Sequence, residues 1–220
     1  NLPSSPVKPY QQNGGPLLYF GGYSAEGVDL CAEFCDVYLM WPDTEEKLKV
    51  LISKMLSKAA EYNRTVQFGL RVHVIVRETE NEAKAYANKL ISKLDLKIGE
   101  DIKDRALDSK SLGVSKQTSL REKADKEYYA EPHLWTGIGL ARSGCGAAIV
   151  GNPEQVFNKI KSYIDMGINA FILSGYPHHQ ECKLFAKYVL PKLKNVHLPE
   201  VLGRVPKKTP YTPLGNGPRE

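Results

Sequence analysis

The chain has 220 residues, of which 42% are hydrophobic and 25% are charged, a composition typical of a soluble globular protein with one sizeable core. Its 30 basic and 25 acidic residues give a net charge of +5, but the two signs are interspersed, which does not indicate a nucleic-acid surface and favours anionic small molecules as partners. No apolar run reaches the roughly 18 to 20 residues of a membrane span and no signal-peptide pattern opens the sequence, so we expect a cytoplasmic protein that does not bind a membrane.

The first elements alternate between strand and helix. Residues 1–15 are rich in Pro, Gly, Ser and Asn and are typical of an irregular lead-in. The stretch PLLYFGG then predicts a short apolar strand that ends in a glycine pair, and Ser24 is placed to cap a helix that starts at Ala25. A second buried strand is predicted at CDVYLMW.

Two capping-box patterns mark the next two helices. Asp43 with Glu46 precedes one apolar stripe at helical spacing, and Thr79 with Glu82 precedes another. Between them lies the stretch FGLRVHVIV, which predicts a strand because it is short, β-branched and alternating.

The second half of the chain contains an insertion. Residues 97–146 are first polar and helical in propensity and then glycine-dense, which predicts an insertion with a mobile segment. Asn152 and Pro153 then start a helix that Gly167 ends, and NAFILSGY predicts the fourth strand. A last helix is predicted at about residues 179–193, and residues 196–220 form a Pro-rich basic tail that we expect to be extended or disordered.

The order of these elements predicts an α/β domain at residues 16–195. Strands that alternate with helices, and that are apolar almost throughout, favour a parallel sheet flanked by helices. The pattern alone leaves both a barrel and an open doubly wound sheet possible. In either case ligands bind at the carboxyl ends of the strands, so the residues there are the candidates for a site.

The turn after the first strand is one candidate for anion binding. Gly21, Gly22 and Ser24 lead into a helix N-terminus, where free N–H groups, a hydroxyl and the helix dipole can meet a phosphate. The turn lacks the lysine of a Walker loop and the dinucleotide-binding fingerprint. A tight strand-to-helix turn with Ser24 as an ordinary cap remains an equally open alternative.

Arg71 and His73 form the sharpest pair in the sequence. They lie two residues apart in the third strand and therefore on the same face. An arginine inside a sheet that is covered on both faces must be paired or hydrogen-bonded. A structural ion pair would satisfy it, and an anionic substrate is the alternative.

Three further residues lie where the strands or the insertion would approach this site. Trp41 ends the second strand, where packing is the commonest use of a tryptophan, and Tyr176 follows the fourth strand beside Ser174 and His178. Arg142 lies among glycines in the insertion and could close over an anion as part of a lid, or could simply be solvated.

The four cysteines do not indicate a metal site. They are too sparse for a disulfide scaffold in a chain of this length. Cys31 and Cys35 lie one helical turn apart, but a closed zinc site needs four ligands and no second pair follows at a suitable spacing. We expect no metal.

Five segments together resemble a known family in order and spacing. The five segments are LYFGGYS, DVYLMW, FGLRVHVIVRET, LWTGIGLARSGCGAAIVG and FILSGYPH. They are similar to the C-terminal part of alkanesulfonate monooxygenases, which belong to the bacterial-luciferase-like flavin enzymes. The resemblance covers about residues 16–193 and implies a TIM (β/α)8 barrel. Because only four strands are predicted, we expect this chain to be about the C-terminal half of such a barrel, with the insertion before the last strand.

The resemblance also implies an activity and its participants. The family uses reduced FMN, supplied by a separate NAD(P)H-dependent flavin reductase, and molecular oxygen to split an alkanesulfonate into sulfite and an aldehyde. It is implied to form a homo-oligomer.

Carried over by residue, the resemblance implies that Trp41, Arg71, His73, Tyr176 and Arg142 belong to the catalytic site. Ser24, in the turn with Gly21 and Gly22, falls at the flavin phosphate, and Tyr176 is implied to contact the flavin as well. This agrees with the independent argument that Arg71 suits an anion.

Two alternatives remain open. Luciferase-like enzymes oxidise quite different substrates on one barrel, so another substrate is possible. A half-barrel would also expose sheet edges and apolar surface, so the chain could be a non-catalytic module, or a fragment of a longer product, that pairs with a complementary chain.

Overall fold

The computed structural model describes residues 16–106, 110–141 and 144–204. The predicted lead-in, residues 1–15, and the greater part of the predicted tail, residues 205–220, lie outside these ranges. Residues 19–194 form one compact unit, which contains all the strands described below. A second unit comprises residues 1–18 and 195–220, and its described part contains one short helix, Leu198–Val201.

Strands and helices alternate along the compact unit. In chain order they are β1 (Tyr19–Phe20), α1 (Ala25–Phe34), β2 (Val37–Met40), α2 (Glu45–Glu61), β3 (Gln67–Val76), α3 (Glu80–Ile91), α4 (Leu96–Asp104), α5 (Leu112–Glu122), β4 (Tyr129–Glu131), β5 (Leu134–Trp135), β6 (Ala148–Gly151), α6 (Pro153–Asp165), β7 (Ile168–Ser174) and α7 (His178–Tyr188). Two 3-10 turns, Gly137–Leu140 and Leu190–Lys192, complete the unit.

The longest strand, β3, organises a seven-stranded sheet. Strands β1, β2, β3, β6 and β7 are parallel, and β4 and β5 add an antiparallel pair beside β6. The N–H groups of Gln67 and His73 donate to the carbonyls of Asp36 and Ala147. Since these donors are separated by an even number of residues, β2 and β6 share one edge of β3, one after the other, and β7 occupies the opposite edge.

The two faces of β3 pack against different groups of residues, as its alternation predicts. The even-numbered side chains from Val66 to Val76 join the main core, which also contains residues of α1, α2 and α6. Ile75, on the other face, belongs to a second core with Ala83 of α3 and Trp135 of β5. The prediction of one apolar face, and of Arg71 and His73 on the opposite face, is therefore confirmed.

Three predicted helix starts are confirmed. The Ser24 hydroxyl accepts from the Gly27 N–H at 3.0 Å and so caps α1. Thr79 forms a capping box with Glu82 at α3. Asn152 forms another at α6, where Pro153 is the first residue of the helix. Gly167 follows the end of α6 with φ +97°, a conformation that favours glycine.

The capping box predicted from Asp43 and Glu46 is wrong. Helix α2 is preceded by Thr44, whose side chain makes no capping bond. Asp43 instead accepts from the Thr44 N–H and pairs with Lys47. The free N–H of Glu45 donates at 3.0 Å to the carboxylate of Glu131 in β4, so the insertion supplies the cap.

The strand count of four is also wrong, although the insertion does precede the last strand, β7. Strand β6 follows the insertion and precedes β7, so two strands come after it. Strand β6 lies in the stretch AAIVG, which directly follows the glycine-dense part of the insertion and is not among the four predicted strands. Because β6 has only four residues, all of them buried, it shows no alternation that could distinguish it from a loop.

The predicted insertion contains both helix and strand. Helices α4 and α5 and the β4–β5 pair all lie within residues 97–146, apart from the first residue of α4. Across the three described ranges, none of the helices has both the length and the apolar character needed to cross a membrane.

Candidate active site

His73 is held at the junction of β3 and β7. The parallel register places it beside Ser174, and the Ser174 hydroxyl lies 2.8 Å from His73 Nδ1. His73 is only 1% exposed, although its ring is polar. The sheet thus fixes an imidazole, three residues before the end of β3, beside a hydroxyl at the carboxyl end of β7.

Tyr176 is brought to the same place by the chain that leaves β7. Its ring centroid lies 5.5 Å from that of His73 and 4.9 Å from that of His178. The Tyr176 carbonyl accepts from the Tyr86 hydroxyl at 3.0 Å, which fixes the backbone after the strand. Of the predicted site residues, His73 and Tyr176 are therefore neighbours in the fold.

A buried ion pair contacts Tyr86, the residue that holds the backbone of Tyr176. Arg77 and Glu181 form two hydrogen bonds, of 3.0 and 2.7 Å, and Arg77 also donates to the Val76 carbonyl. The Arg77 guanidinium lies 3.8 Å from the centroid of the Tyr86 ring. A chain of contacts therefore runs from Glu181 through Arg77 and Tyr86 to the backbone of Tyr176.

Sequence reasoning missed this pair. Its members are 104 residues apart, and no local spacing relates them. The available signal was an arginine directly after a buried strand, since a cation in such a place needs a partner.

Arg71 shares the face of His73 but is only partly buried. Within the described ranges no carboxylate pairs with its guanidinium, so the structural ion pair considered above is not found there. Its carbonyl accepts a weak hydrogen bond from the Cys145 thiol at 3.2 Å. The side chain remains a cation near the strand ends, available to an anion.

Trp41 lies on the other side of the site, at the end of β2. The backbone N–H of Trp41 donates to the Tyr23 hydroxyl at 2.8 Å. A Cβ on Gly113 of α5 would approach the Trp41 ring to 2.9 Å, so α5 packs directly on the indole. Burial raises the pKa of Tyr23 to about 12, although the hydrogen bond from the Trp41 backbone N–H acts to lower this pKa. In the described part of the chain, no ring contact joins Trp41 to His73 or Tyr176.

A cavity of about 390 Å³, the turn cavity, adjoins Trp41. It is lined by Gly21, Gly22, Tyr23, Ser24, Leu39, Trp41, Ser111, Leu112 and Gly113. Ser24 and Ser111 are the capping residues of α1 and α5, so the N-terminal residues of two helices line one cavity. The positive ends of two helix dipoles favour an anion there.

The glycine turn itself is tightly packed. The Tyr38 hydroxyl donates to the Gly22 carbonyl at 2.7 Å, and a Cβ on Gly22 would approach the Phe20 ring to 2.8 Å. The Ser24 hydroxyl already accepts from Gly27. An anion at this turn would meet the first-turn backbone N–H groups, which have no acceptor within the helix, and the Ser24 hydroxyl, which can donate while it accepts from Gly27.

The predicted lid residue Arg142 lies outside the described residues, as does Ser143. The loop next to them is anchored by Gln117 of α5, a buried residue that sequence reasoning missed. The Gln117 amide donates to the Pro42 carbonyl at 2.7 Å and accepts from the Gly146 N–H at 2.9 Å. One side chain thus joins the end of β2, the insertion and the segment before β6.

A second buried cluster anchors the insertion to α2 and α6. Lys159 bonds Glu45 at 2.7 Å and Glu131 at 2.6 Å, and the Ser162 hydroxyl donates to Glu45. Burial acts to raise the pKa of Glu45, but the hydrogen bonds from Lys159 and Ser162 together hold that pKa below its ordinary value. Each charged group in this cluster has a partner of opposite charge within it, so the cluster is a structural contact between the insertion, α2 and α6.

The cysteines show no metal-binding arrangement. Cys31, Cys35 and Cys145 are buried, Cys182 is exposed, and all four are free thiols. Burial raises the pKa of Cys31 to about 12, which keeps the thiol protonated. In the ranges that the structure covers, no group of three or more His, Cys, Asp or Glu residues is suited to a metal.

Comparison with known proteins identifies the family. A family model described as luciferase-like monooxygenase matches residues 2–170, which is more than half of the chain. The chain belongs to the luciferase-like monooxygenase family. The fold is accordingly of the TIM-barrel type, and the curled sheet around β3 is part of such a barrel.

Two curated relatives have the same name. A sulfoquinovose monooxygenase of Agrobacterium fabrum (strain C58) is 56% identical over 216 residues, which are 98% of this chain and 56% of the relative. A sulfoquinovose monooxygenase of Novosphingobium aromaticivorans is 56% identical over 180 residues, which are 82% of this chain and 50% of the relative. The chain therefore spans about half the length of the curated relatives it matches.

Among solved structures, riboflavin lyase RcaE, with modified FMN and riboflavin, superposes with a TM-score of 0.60 at 14% identity. The match covers 91% of this chain and 46% of RcaE, and at this identity it supports the fold alone. The matching family model confirms the luciferase-like family that the sequence analysis inferred. The finer resemblance to alkanesulfonate monooxygenases is not what these relatives show, since their names specify sulfoquinovose.

Proposed function

We propose that this chain carries the sulfonate-binding part of a two-component flavin monooxygenase, which uses reduced FMN and molecular oxygen to release sulfite from an organosulfonate. The observation that carries the proposal is a cation, Arg71, on the same face of β3 as buried His73, which lies beside the carboxyl end of β7. Family membership supports the reaction class, and the name shared by both relatives supports a sulfonate.

Arg71 is the proposed sulfonate ligand. A guanidinium offers several N–H donors in one plane, a geometry that suits an oxyanion with several equivalent oxygens. No described carboxylate competes for it. Arg142 is proposed as a second cation, from the insertion.

The turn cavity fits the phosphate of FMN. Two helix N-termini line it, and Gly21 and Gly22 carry no side chain that would keep a phosphate away from the backbone of the turn. Trp41 borders the same cavity and offers an aromatic surface to the flavin. Reduced FMN, delivered by an NAD(P)H-dependent reductase, would supply with oxygen the oxidising chemistry that carbon–sulfur cleavage needs.

His73 and Tyr176 are the proposed groups for proton transfer and hydrogen bonding. Their rings adjoin, and the contacts through Ser174 and Tyr86 hold them in place. A group that is positioned before the substrate arrives loses little entropy in reaching a productive geometry. The insertion, anchored by Gln117, would limit the access of water.

The experiment that tests this proposal measures sulfite. The chain is assayed alone and together with the unmatched segment of the Agrobacterium relative, with reduced FMN, oxygen and either sulfoquinovose or octanesulfonate. We expect sulfite release that Arg71→Ala abolishes without unfolding the protein, because the anion loses its cation. Arg105→Ala, an exposed arginine after α4, is the matched control and should keep full activity.

The outcomes separate the substrates. Preference for sulfoquinovose assigns the substrate that the relatives' names specify, whereas preference for octanesulfonate assigns an alkanesulfonate. Unchanged turnover in Arg71→Ala would contradict the role of Arg71, and the absence of sulfite under every condition would contradict the proposed reaction.

A second candidate function is a half-barrel module that acts only with a complementary chain. The two outer parallel strands favour it: Tyr19 of β1 is 45% exposed and Ile172 of β7 is 44% exposed. Strands with exposed edges and apolar side chains readily pair with another chain. Binding of reduced FMN, measured anaerobically by fluorescence, would then require the complementary segment, whereas a self-sufficient site would bind without it.

A further inference from the structure

The contact between Ser174 and His73 also bears on which imidazole nitrogen carries the proton. The Ser174 hydroxyl lies 2.8 Å from Nδ1 of His73. Ser174 is the last residue of β7, and the parallel register continues up to this pair, through Arg71 with Ile172 and Val72 with Leu173. Both side chains therefore project from paired backbone, and their separation is fixed by the sheet rather than by a loop.

We propose that Ser174 is a positioning residue, which fixes the orientation of the His73 ring and selects its tautomer. The importance of this role for turnover rests on the proposed function, but the hydrogen bond itself can be tested without activity. A neutral imidazole has one donor and one acceptor nitrogen, and a serine hydroxyl can serve either. The partner on one nitrogen decides which tautomer is present.

The ring has few alternatives to this arrangement. His73 is 1% exposed and stands against the Tyr176 ring, whose backbone the Tyr86 hydroxyl holds. Rotation about χ2 would move Nδ1 away from Ser174 in a site where packing is close. With Nδ1 engaged by Ser174, proton exchange with a bound molecule would run through Nε2.

Among the described residues, the charged and titratable groups identified near His73 come from three elements. Arg71 is on the same face of β3, Tyr176 and His178 follow β7, and the Arg77–Glu181 pair lies behind them. None of these supplies the contact to Nδ1, which comes from Ser174. A change in the tautomer on removal of the hydroxyl is therefore a specific signature of Ser174.

The test is nitrogen NMR of the imidazole rings in the whole chain. The protein contains five histidines, so the His73 ring can be assigned by its loss in His73→Gln. Spectra are recorded at several pH values above the ordinary histidine pKa of about 6.5, and the nitrogen shifts themselves identify the neutral ring. We expect one dominant His73 tautomer in the wild type and a mixture of both in Ser174→Ala, because the alanine offers no partner.

Two further variants separate positioning from general damage. Ser174→Thr retains the hydroxyl and suits a strand, so it should restore the single tautomer. Ser53→Ala, an exposed serine of α2, should leave the His73 ring signals unchanged. Identical His73 signals in wild type and a folded Ser174→Ala would overturn the proposal, as would a mixture of tautomers in the wild type.

The activity assay adds a second readout. If sulfite is released, Ser174→Ala should lower kcat by about tenfold with little change in KM, and Ser174→Thr should recover it, as for other residues that orient a functional histidine. A tautomer change without any sulfite in the wild type would support the positioning of His73 and contradict only the proposed reaction.

Discussion

The two ends of the candidate site are built in different ways. At the β3–β7 end, His73, Ser174 and Tyr176 are joined by close contacts, and the Arg77–Glu181 pair supports them. At the β1–β2 end, the turn cavity of about 390 Å³ is bordered by two helix N-termini and Trp41. Polar groups at the first end are largely satisfied by the protein, whereas backbone N–H groups at the second have room for a ligand. Under the proposed function, the first end would hold the reacting groups in place and the second would receive the cofactor.

The largest loss of stability is expected at the β3–β7 end, when one member of the buried Arg77–Glu181 ion pair is removed. Glu181→Leu leaves the Arg77 guanidinium with no carboxylate in a site where Arg77 is 14% exposed and Glu181 is 3% exposed. We expect the free energy of unfolding to fall by about 3–5 kcal/mol, measured by urea denaturation, because a buried charge loses its partner.

The control for this prediction is Glu61→Leu, which removes a carboxylate from an exposed pair with Lys58. It should cost less than about 1 kcal/mol. The double variant Arg77→Met with Glu181→Leu should recover part of the loss, since no unpaired charge remains. A loss below about 1 kcal/mol in Glu181→Leu alone would show that the pair does not stabilise this end.

A smaller loss is expected at Gln117, which anchors the insertion at the β1–β2 end. Gln117→Leu leaves the Pro42 carbonyl and the Gly146 N–H without their amide partner in the protein interior. We expect a loss of about 2–3 kcal/mol in urea denaturation, for two hydrogen bonds at a buried position. Hydrogen exchange at Gly146 should accelerate at the same time.

Gln117→Glu serves as the matched variant. When ionised, it keeps the acceptor for Gly146 but buries a carboxylate oxygen against the Pro42 carbonyl, so it should lower the free energy of unfolding at least as much as Gln117→Leu. Equal stability of wild type and Gln117→Leu would mean that α5 is held by other contacts, such as the hydrogen bond from Arg121 to Gly139.

The sequence predicts local features of this fold better than long-range ones. The alternation of β3 fixed both of its faces, and the caps of α1, α3 and α6 were identified because each lies within three residues of its helix. The cap of α2 was missed because Glu131 lies 86 residues away. Strand β6 was missed because a four-residue buried strand carries no periodic signal.

The same limit applies to the site. The period of a strand predicts that Arg71 and His73 share a face, and the position of Tyr176 after a strand predicts that it lies at the same edge of the sheet. No local pattern predicts the contacts that hold them, which join Ser174 to His73 over 101 residues and Tyr86 to Tyr176 over 90. Such contacts depend on which strands become neighbours. The catalytic and flavin roles of these residues stay predictions.

The smallest loss of stability is expected at the cap of α1. Replacing Ser24 there tests whether its hydroxyl only caps the helix or also binds the cofactor. Ser24→Ala removes the acceptor of the Gly27 N–H, so the free energy of unfolding should fall by about 1 kcal/mol. Ser111→Ala, at the cap of α5, is the matched control, since its hydroxyl accepts from Val114 in the same way and lines the same cavity. If backbone N–H groups bind the FMN phosphate, neither variant should weaken reduced-FMN binding by more than the cap accounts for, roughly five- to tenfold. A much larger loss in Ser24→Ala alone would instead make the Ser24 hydroxyl a direct phosphate ligand, which can donate its proton to the phosphate while it still accepts from the Gly27 N–H.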